Sequence, residues 1–281
     1  MPDKLQTLVD NLKTYNNLAV AFSGGVDSSF LAAVAKDGCD SVVAITVRSE
    51  FQSRKESDNA VYMAEKIGIR HVVVTARVLA DPGVVQNTNE RCYFCKKVLF
   101  SLVKDKAEAL GFKTLAHGAN LDDLSDYRPG FRAAREMGVV APLIEAELTK
   151  AEIRAYSRSM GLETWNMASQ SCLATRIPYG ERITLEKLTM VETGERALYD
   201  LGFPRVRIRC HGEVARIELD PGSVDRLMEK EMRLTVVGAM KQAGFNYVAV
   251  DLEGYVSGSM NRSLSAPCDD SPDPCAGLGG G

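Results

Sequence analysis

Three cysteines in this sequence have the spacing of metal or cluster ligands. Cys92 and Cys95 form a C-x-x-C motif, and Cys172 follows in a separate segment of the chain. Three thiolates from two segments can hold soft metals, and a 4Fe-4S cluster with three cysteine ligands leaves one iron open. The same cysteines could instead form a redox pair, a structural zinc site completed by a fourth ligand, or a set of buried thiols.

The glycine-rich segment SGGVDSS, which begins at Ser23 and ends at Ser29, could bind phosphate. It lies between an apolar run at residues 18–22 and a predicted helix. Its glycines allow positive φ and a close approach to a ligand, and free N–H groups at a helix start attract anions. The segment is neither a Walker A loop nor a dinucleotide loop, because it lacks Gly-Lys-Ser/Thr and G-x-G-x-x-G. A plain helix-capping turn is the alternative.

Charged side chains further along the chain could bind a substrate phosphate. Arg205, Arg207 and Arg209 alternate along a predicted strand, so their side chains share one face. A guanidinium group can bind phosphate through two parallel hydrogen bonds. Glu195 lies on the helix predicted before this strand. A solvated strand face and an exposed helix carboxylate are the alternative interpretations.

The chain up to residue 120 alternates short β-branched runs with stretches of helical spacing. This order predicts an α/β fold with a parallel sheet and right-handed crossovers. In such folds the ligand binds at the carboxyl ends of the strands. The predicted strands are residues 18–22, 41–47, 71–75 and 113–117, and the predicted helices are residues 28–36, 53–67 and 97–110.

Beyond residue 180 the order changes to helix, two strands, helix and strand, which predicts a second, smaller α+β domain. Its predicted elements are a helix at 185–201, strands at 205–210 and 214–219, a helix at 223–242 and a strand at 246–252. We expect a doubly wound domain at residues 1–180 and a substrate-binding and oligomerisation domain at 181–264. Residues 265–281, rich in Pro, Asp and Gly, are expected to form a flexible tail.

Composition excludes several classes of protein. The chain has 281 residues, with 34 Lys and Arg against 37 Asp and Glu, so its net charge is −3. That balance does not favour a nucleic-acid surface. No apolar run reaches the ~20 residues of a membrane span, and the polar N-terminus is unlike a secretory signal. With seven cysteines, an odd count, we expect a cytoplasmic protein without a disulfide scaffold, a membrane contact or a nucleic-acid partner.

The motif S-G-G-x-D-S after a strand resembles the signature of the PP-loop ATP pyrophosphatases, which include NAD, GMP and asparagine synthetases and tRNA thiolation enzymes. The resemblance implies that the loop binds the pyrophosphate half of ATP with Mg²⁺. It also implies that the α–β bond is split to adenylate a substrate, with adenosine near the strand ends. The implied ATP-binding residues are Ser23, Gly24, Gly25, Asp27, Ser28, Ser29, Ser49 and Gly118.

Further motifs make the sequence similar to the LarE family across residues 5–264. They include R-I-P-Y-G from Arg176, G-F-P-R-V-R from Gly202 and A-R-I-E from Ala215. The resemblance implies a homo-oligomeric, ATP-dependent sulfur transferase of nickel-pincer cofactor synthesis. Such an enzyme adenylates a carboxylate of pyridinium-3,5-biscarboxylic acid mononucleotide, and a sulfide donor then converts the adenylate to a thiocarboxylate and AMP.

The resemblance also suggests roles for individual residues. It implies that Arg207 and Arg209 bind the substrate phosphate and that Glu195 lies near the active site with a catalytic role. Thr175 and Arg176 closely follow the third cysteine, so we expect them to touch the adenylate or the substrate.

The LarE family has two sources of sulfur. In one form, a cysteine five residues before the Arg of R-x-P-Y-G gives up its own sulfur, but that position here is Ser171. In the other form a 4Fe-4S cluster on three cysteines carries sulfide, and we expect Cys92, Cys95 and Cys172 to be its ligands and catalytic residues. The alternatives are a PP-loop tRNA thiolase, a cluster-free amidoligase and a non-catalytic nucleotide-binding module.

Overall fold

The computed structural model describes residues 3–125, 129–168 and 171–256. In these ranges the strands β1 (Asn17–Ala21), β2 (Ser41–Arg48), β3 (Arg70–Thr75) and β4 (Thr114–His117) form a parallel sheet in the order β3-β2-β1-β4. The predicted parallel α/β fold is therefore confirmed. β1, β2 and β3 follow one another in one direction across the sheet, and β4 then pairs with the other edge of β1. The direction of the strand order therefore reverses between β1 and β4. Ligand sites of α/β sheets lie at such switch points.

Helices cover both faces of this sheet. They are α1 (Lys4–Lys13), α2 (Val26–Gly38), α3 (Arg54–Ile67), α4 (Pro82–Val85), α5 (Arg91–Ala109), α6 (Pro129–Glu136), α7 (Pro142–Glu145) and α8 (Lys150–Ser159). Phe30 of α2 packs in a buried cluster with Val20, whereas Phe100 of α5 packs in another cluster with Ala19. Since Ala19 and Val20 are successive residues of β1, they point to opposite faces. None of the described helices has the length and apolarity needed to cross a bilayer.

Helix α5 begins at Arg91, earlier than the predicted start at residue 97. Its first turn carries Cys92 and Cys95, which line a cavity rather than the core of the sheet. The apolar spacing that indicates a core-facing helix therefore starts only further along the chain. Prediction from hydrophobic spacing missed this turn because polar residues and two cysteines occupy much of it.

The described chain from residue 185 onward forms a smaller sheet with its helices. Its strands β5 (Val206–His211) and β6 (Val214–Leu219) are antiparallel, and β7 (Tyr247–Val250) pairs in parallel with β6. The accompanying helices are α9 (Leu185–Asp200), α10 (Val224–Met228) and α11 (Lys230–Gln242). The single helix predicted at 223–242 is wrong, because the extended ψ of 136° at Glu229 separates α10 from α11.

The core of the smaller sheet also includes residues from before the predicted boundary at residue 180. Phe51, Val78 and Val84 belong to the same buried cluster as Ile208 and Ile217. The division at residue 180 stays a prediction. Residues 257–264 of the predicted second domain and the predicted flexible tail at 265–281 lie outside the described residues.

Candidate active site

The loop between β1 and α2 has a backbone that only glycine permits. Gly24 has a φ of 72°, in the left-handed region, and a Cβ there would lie 2.6 Å from the Cα of Ala60. Ser23 Oγ lies 3.0 Å from Ser28 Oγ and accepts a hydrogen bond from the Gly25 N–H at 3.3 Å. These contacts fix the loop at the N-terminus of α2, where free N–H groups attract anions.

A cavity of about 350 Å³ lies beside this loop. The predicted ATP-binding residues that line it are Ser23, Gly25, Asp27 and Ser49. Asp27 accepts a hydrogen bond from Asn120 Nδ2 at 3.3 Å and forms an ion pair with the ammonium of Lys150, which also lines the cavity. The cavity wall therefore combines hydroxyls, backbone N–H groups and a lysine, which are suitable donors for phosphate oxygens.

The other predicted ATP-binding residues do not line the cavity. Ser28 Oγ accepts a hydrogen bond from the Ser23 N–H at 3.2 Å, so it supports the loop from behind. Ser29 is fully buried, and its hydroxyl has no hydrogen-bond partner among the described residues. A Cβ on Gly118 would lie 2.9 Å from the Ser28 nitrogen, so glycine lets the end of β4 pack against α2. Binding of ATP by Ser28, Ser29, Gly24 and Gly118 stays a prediction.

The three predicted cluster cysteines line the same cavity as the phosphate-binding loop. Cys92 and Cys95 are three residues apart on α5 and therefore share a helical face, which Lys96 continues. Cys172 reaches the cavity from the opposite segment, where it directly precedes a short 3₁₀ turn at Leu173–Arg176. The fold thus brings together thiols that are distant in sequence beside the predicted ATP site.

The described residues contain no group of three or more His, Cys, Asp or Glu side chains that is arranged to hold a metal ion. The donor chemistry nevertheless fits an iron–sulfur cluster, because three thiols line one cavity. Burial, with smaller contributions from Cys172 and Cys92, raises the pKa of the Cys95 thiol to about 12. That thiol is therefore neutral at pH 7 in the absence of a metal.

Arg91, the residue before the C-x-x-C motif, is buried at the cavity wall. It donates hydrogen bonds to Asn87 Oδ1 and the Ala174 carbonyl, and its Nη2 lies 3.8 Å from the Cys92 sulfur. Burial alone would lower the pKa of Arg91, but the thiols of Cys172 and Cys92 raise it overall. Arg91 is not among the site residues predicted from the sequence.

Arg176 and Glu195 form a buried, bidentate ion pair. Arg176 Nε and Nη2 donate to the two carboxylate oxygens of Glu195 at 2.8 and 3.0 Å, and Glu195 also accepts the Ile208 N–H at 3.1 Å. Arg176 Nη1 donates to Ser171 Oγ and Thr175 Oγ1 at 2.9 and 3.0 Å. The two predicted site residues hold the segment that carries Cys172 against α9 and β5, and neither lines the cavity.

The arginines predicted to bind phosphate differ in their surroundings. Arg209 is buried, and its Nε and Nη2 donate to both carboxylate oxygens of Glu218 at 2.9 and 2.7 Å. Arg207 is half-buried, and its Nε has no hydrogen-bond partner within the described part of the chain. Burial and the neighbouring Arg176 lower the pKa of Arg207. Arg205 is exposed and precedes β5. Arg209 is therefore already paired with a carboxylate, and the phosphate roles of Arg207 and Arg209 stay predictions.

Sequence reasoning missed several other polar residues that line the cavity, among them Glu56, Asn59 and Lys150. Asn59 Nδ2 donates to the Gly24 carbonyl at 2.9 Å, and burial raises the pKa of Glu56. The sequence T-K-A-E at residues 149–152 is a capping-box signature that predicts the start of α8. It does not show that Lys150 meets the PP-loop, because that contact joins residues 123 positions apart.

Comparisons with known proteins agree with this geometry. The asparagine synthase family model matches residues 3–96. An uncharacterized protein of Synechocystis sp. is 40% identical over 266 residues, covering 93% of this chain and 99% of that protein. The pyridinium-3,5-bisthiocarboxylic acid mononucleotide synthase of Lactiplantibacillus plantarum is 36% identical over 264 residues, covering 93% and 95%. The chain belongs to the LarE family.

Membership in the LarE family makes the protein an ATP-dependent sulfurtransferase of the PP-loop type. A weaker similarity extends to a tRNA-specific 2-thiouridylase of Pelotomaculum thermopropionicum, which is 26% identical over 186 residues and covers 52% of this chain. The LarE relative matches 93% of this chain, whereas the thiouridylase matches only about half. The predicted family assignment is confirmed.

Proposed function

We propose that this LarE-family protein converts a carboxylate of pyridinium-3,5-biscarboxylic acid mononucleotide to a thiocarboxylate, in the synthesis of the nickel-pincer cofactor. The observation that carries the proposal is the single cavity lined by the PP-loop and by three thiols. ATP activation and sulfur delivery must act on the same carboxyl carbon. A shared cavity supports both steps without movement of the substrate between sites.

In the first step, a carboxylate oxygen of the substrate attacks the α-phosphorus of ATP, and the bond from that phosphorus to pyrophosphate breaks. Ser23, the backbone N–H groups of the loop and Lys150 stabilise the charge on the departing pyrophosphate, with Mg²⁺ as the accompanying cation. In the second step, hydrogen sulfide ion attacks the acyl carbon, the bond to AMP breaks, and one proton is released. The products are the thiocarboxylate and AMP.

The proposal includes a 4Fe-4S cluster held by Cys92, Cys95 and Cys172. When bound there, the cluster would supply sulfide beside the activated carboxylate. The proposal also includes substrate phosphate binding at Arg207, whose buried Nε has no partner in the described part of the chain, and the assembly of the chain as a homo-oligomer. Since Ser171 occupies the position of the sacrificial cysteine, its hydroxyl cannot donate sulfur. The protein is therefore proposed to transfer sulfur in repeated turnovers.

Anaerobic purification and metal analysis test the cluster. About four iron and four acid-labile sulfide per chain are expected, on the stoichiometry of a 4Fe-4S centre. The Cys92→Ala variant is expected to lose most of this iron. The matched control is Cys39→Ala, because Cys39 is a cysteine outside the cavity. One zinc and no iron, or equal iron in both variants, would contradict the cluster.

Incubation with ATP, sulfide and the pyridinium substrate tests the reaction. AMP, pyrophosphate and a product heavier by the exchange of oxygen for sulfur are expected in equal amounts. The intact protein mass is expected to stay constant over many turnovers, whereas the loss of one sulfur atom would indicate a sacrificial cysteine. A salt-sensitive shift of tRNA in a gel would instead favour the thiouridylase alternative.

A further inference from the structure

Arg91 is a buried cation without an acidic partner. It is 2% exposed, and no carboxylate of the described ranges lies within ion-pair distance of its guanidinium. Its Nη1 donates to two neutral acceptors, Asn87 Oδ1 at 2.5 Å and the Ala174 carbonyl at 3.1 Å. A buried charge without a counter-charge costs free energy. The cavity that Arg91 lines is therefore suited to an anionic occupant.

The same guanidinium connects the two segments that carry the thiols. On one side, Arg91 Nη2 lies 3.8 Å from the sulfur of Cys92 on α5. On the other side, Nη1 donates to the carbonyl of Ala174, two residues after Cys172. A planar, delocalised group with fixed donor directions can hold two segments at a set spacing, which a lysine ammonium cannot do.

Asn87 fixes the guanidinium in this position. It is fully buried, with a φ of 53° in the left-handed region. While its Oδ1 accepts from Arg91, its Nδ2 donates to the carbonyls of Pro178 and Glu181 at 2.7 and 3.0 Å, and its own carbonyl accepts the Gly180 N–H at 3.0 Å. The loop R-I-P-Y-G after Cys172 is thus bound to the segment before α5 through Asn87 and Arg91.

We propose that Arg91 is the positioning residue and counter-ion of the Cys92, Cys95 and Cys172 set. It holds Cys172 opposite α5, and its charge stabilises the anionic assembly of thiolates and cluster. This inference rests on the cluster of the proposed function. Lys96 also lines the cavity and adds positive charge near Cys95, but among the described residues no hydrogen bond joins it to the segment that carries Cys172.

Two variants separate the charge of Arg91 from its shape. Arg91→Gln removes the charge and retains polar atoms for Asn87. Arg91→Lys retains the charge and loses the planar pair of guanidinium donors. Anaerobic reconstitution with ferrous iron and sulfide is expected to load Arg91→Gln with at least fivefold less iron than wild type. Arg91→Lys is expected to load an intermediate amount. Arg132→Gln is the control, because Arg132 is an exposed arginine that lies over Tyr93 outside the cavity.

Reduction potential provides a readout that a merely structural role would not change. Iron–sulfur potentials depend on net charge and on hydrogen bonds to the sulfurs. The iron centre retained by Arg91→Gln is therefore expected to have a more negative potential than that of Arg91→Lys. Equal iron loading and equal potential in Arg91→Gln and wild type would overturn the inference.

A thiol cross-link in the metal-free protein distinguishes failure of this inference from failure of the proposed function. Dibromobimane should join Cys172 to a cysteine of α5 in wild type, and Arg91→Gln is expected to reduce that yield at least threefold. If the wild-type protein binds no iron, the proposed cluster is wrong. The cross-link yield then tests by itself whether Arg91 positions Cys172. If Arg91→Gln fails to fold, Arg91→Lys takes its place, and an undiminished cross-link there overturns the positioning role.

Discussion

The ammonium of Lys150 is ion-paired with the Asp27 carboxylate at the wall of the nucleotide-sized cavity. Asp27 lies in the first turn of α2, and Lys150 is the first residue of α8. The Thr149 and Glu152 capping box fixes the start of α8 and so directs Lys150 toward the loop. The Asp27 carboxylate thereby holds a lysine beside the anion site.

The first prediction concerns affinity for ATP. Replacing Lys150 by Ala is expected to weaken ATP binding about ten- to hundredfold, which corresponds to loss of a charged hydrogen bond. AMP binding is expected to change by less than about threefold, because AMP lacks the pyrophosphate that Lys150 would contact. Isothermal titration with ATP, AMP and pyrophosphate measures the difference.

Lys13→Ala is the control for Lys150→Ala. Lys13 forms an exposed ion pair with Asp10 at 3.0 Å and does not line the cavity. Its loss should leave the affinity for each of the three ligands unchanged. Equal weakening of ATP and AMP by Lys150→Ala would contradict a contact to the pyrophosphate and indicate a general distortion of the loop.

The second prediction separates two reasons why the PP-loop needs glycine. Gly24→Ala adds a Cβ 2.6 Å from the Ala60 Cα at a φ of 72° and is expected to destabilise the protein by about 3 kcal/mol. Gly111→Ala has a comparable φ of 87° with no atom within 4 Å, so only the backbone strain of about 1 kcal/mol applies. Urea unfolding measures both. Equal losses would show that the contact with α3 relaxes freely.

The elements of this fold could be predicted well because they follow local rules. β1 and β2 are short apolar runs, and α3 has a Ser53 capping box at its start and Gly68 at its C-cap, which are both readable from sequence. The break at Glu229 could not be predicted, since no Gly or Pro marks it. The residues around it have helical spacing on both sides.

Site residues could be predicted where they are close together in a sequence motif. They could not be predicted where the fold brings together residues that are distant in sequence. Cys92 and Cys95 share a helical face by spacing alone. In the register of β5 and β6, Arg207 lies directly opposite Glu218. The side chain of Arg209, two residues further along β5, forms the ion pair with this carboxylate, and that pairing depends on the register. The sequence therefore showed a row of arginines but could not show which one already has a carboxylate partner.

The third prediction concerns pH. Burial, and then the charge of Lys96, lower the pKa of His117 from 6.5 to about 4. In the unfolded chain the His117 imidazole is protonated below about pH 6.5, whereas in the folded protein it stays neutral down to about pH 4. The contribution of neutral His117 to the free energy of unfolding is fully present above pH 6.5. It is lost as the pH falls from 6.5 towards 4, and the loss is about 2 kcal/mol at pH 5.

His117→Phe tests that assignment, because the ring lies between Phe100 and Phe131 at centroid distances of 5.8 and 6.0 Å. The variant is expected to lose less stability than wild type between pH 7 and pH 5 in urea unfolding. A residual slope should remain, since burial also lowers the pKa of His71 and of His211. An unchanged slope would contradict the role of His117.

The fourth prediction decides whether Glu195 acts in chemistry or in structure. Its carboxylate is fully engaged by Arg176 and the Ile208 N–H, and the Arg176 side chain is 4% exposed. Glu195→Gln leaves a buried guanidinium without its counter-charge, so a loss of about 3 kcal/mol is expected. The double variant Arg176→Met with Glu195→Leu removes both charges and should recover part of that loss.

Glu192→Gln is the matched control on the same helix, because within the described ranges Glu192 accepts a single hydrogen bond, from the exposed Arg54 N–H at 2.9 Å. Its effect should stay below about 1 kcal/mol. Pyrophosphate release, measured below the melting temperature of each variant, then separates the two roles. If Glu195→Gln unfolds like wild type but releases no pyrophosphate, the carboxylate is catalytic. If release follows the folded fraction, Glu195 acts by holding Arg176, and through it the segment that carries Cys172.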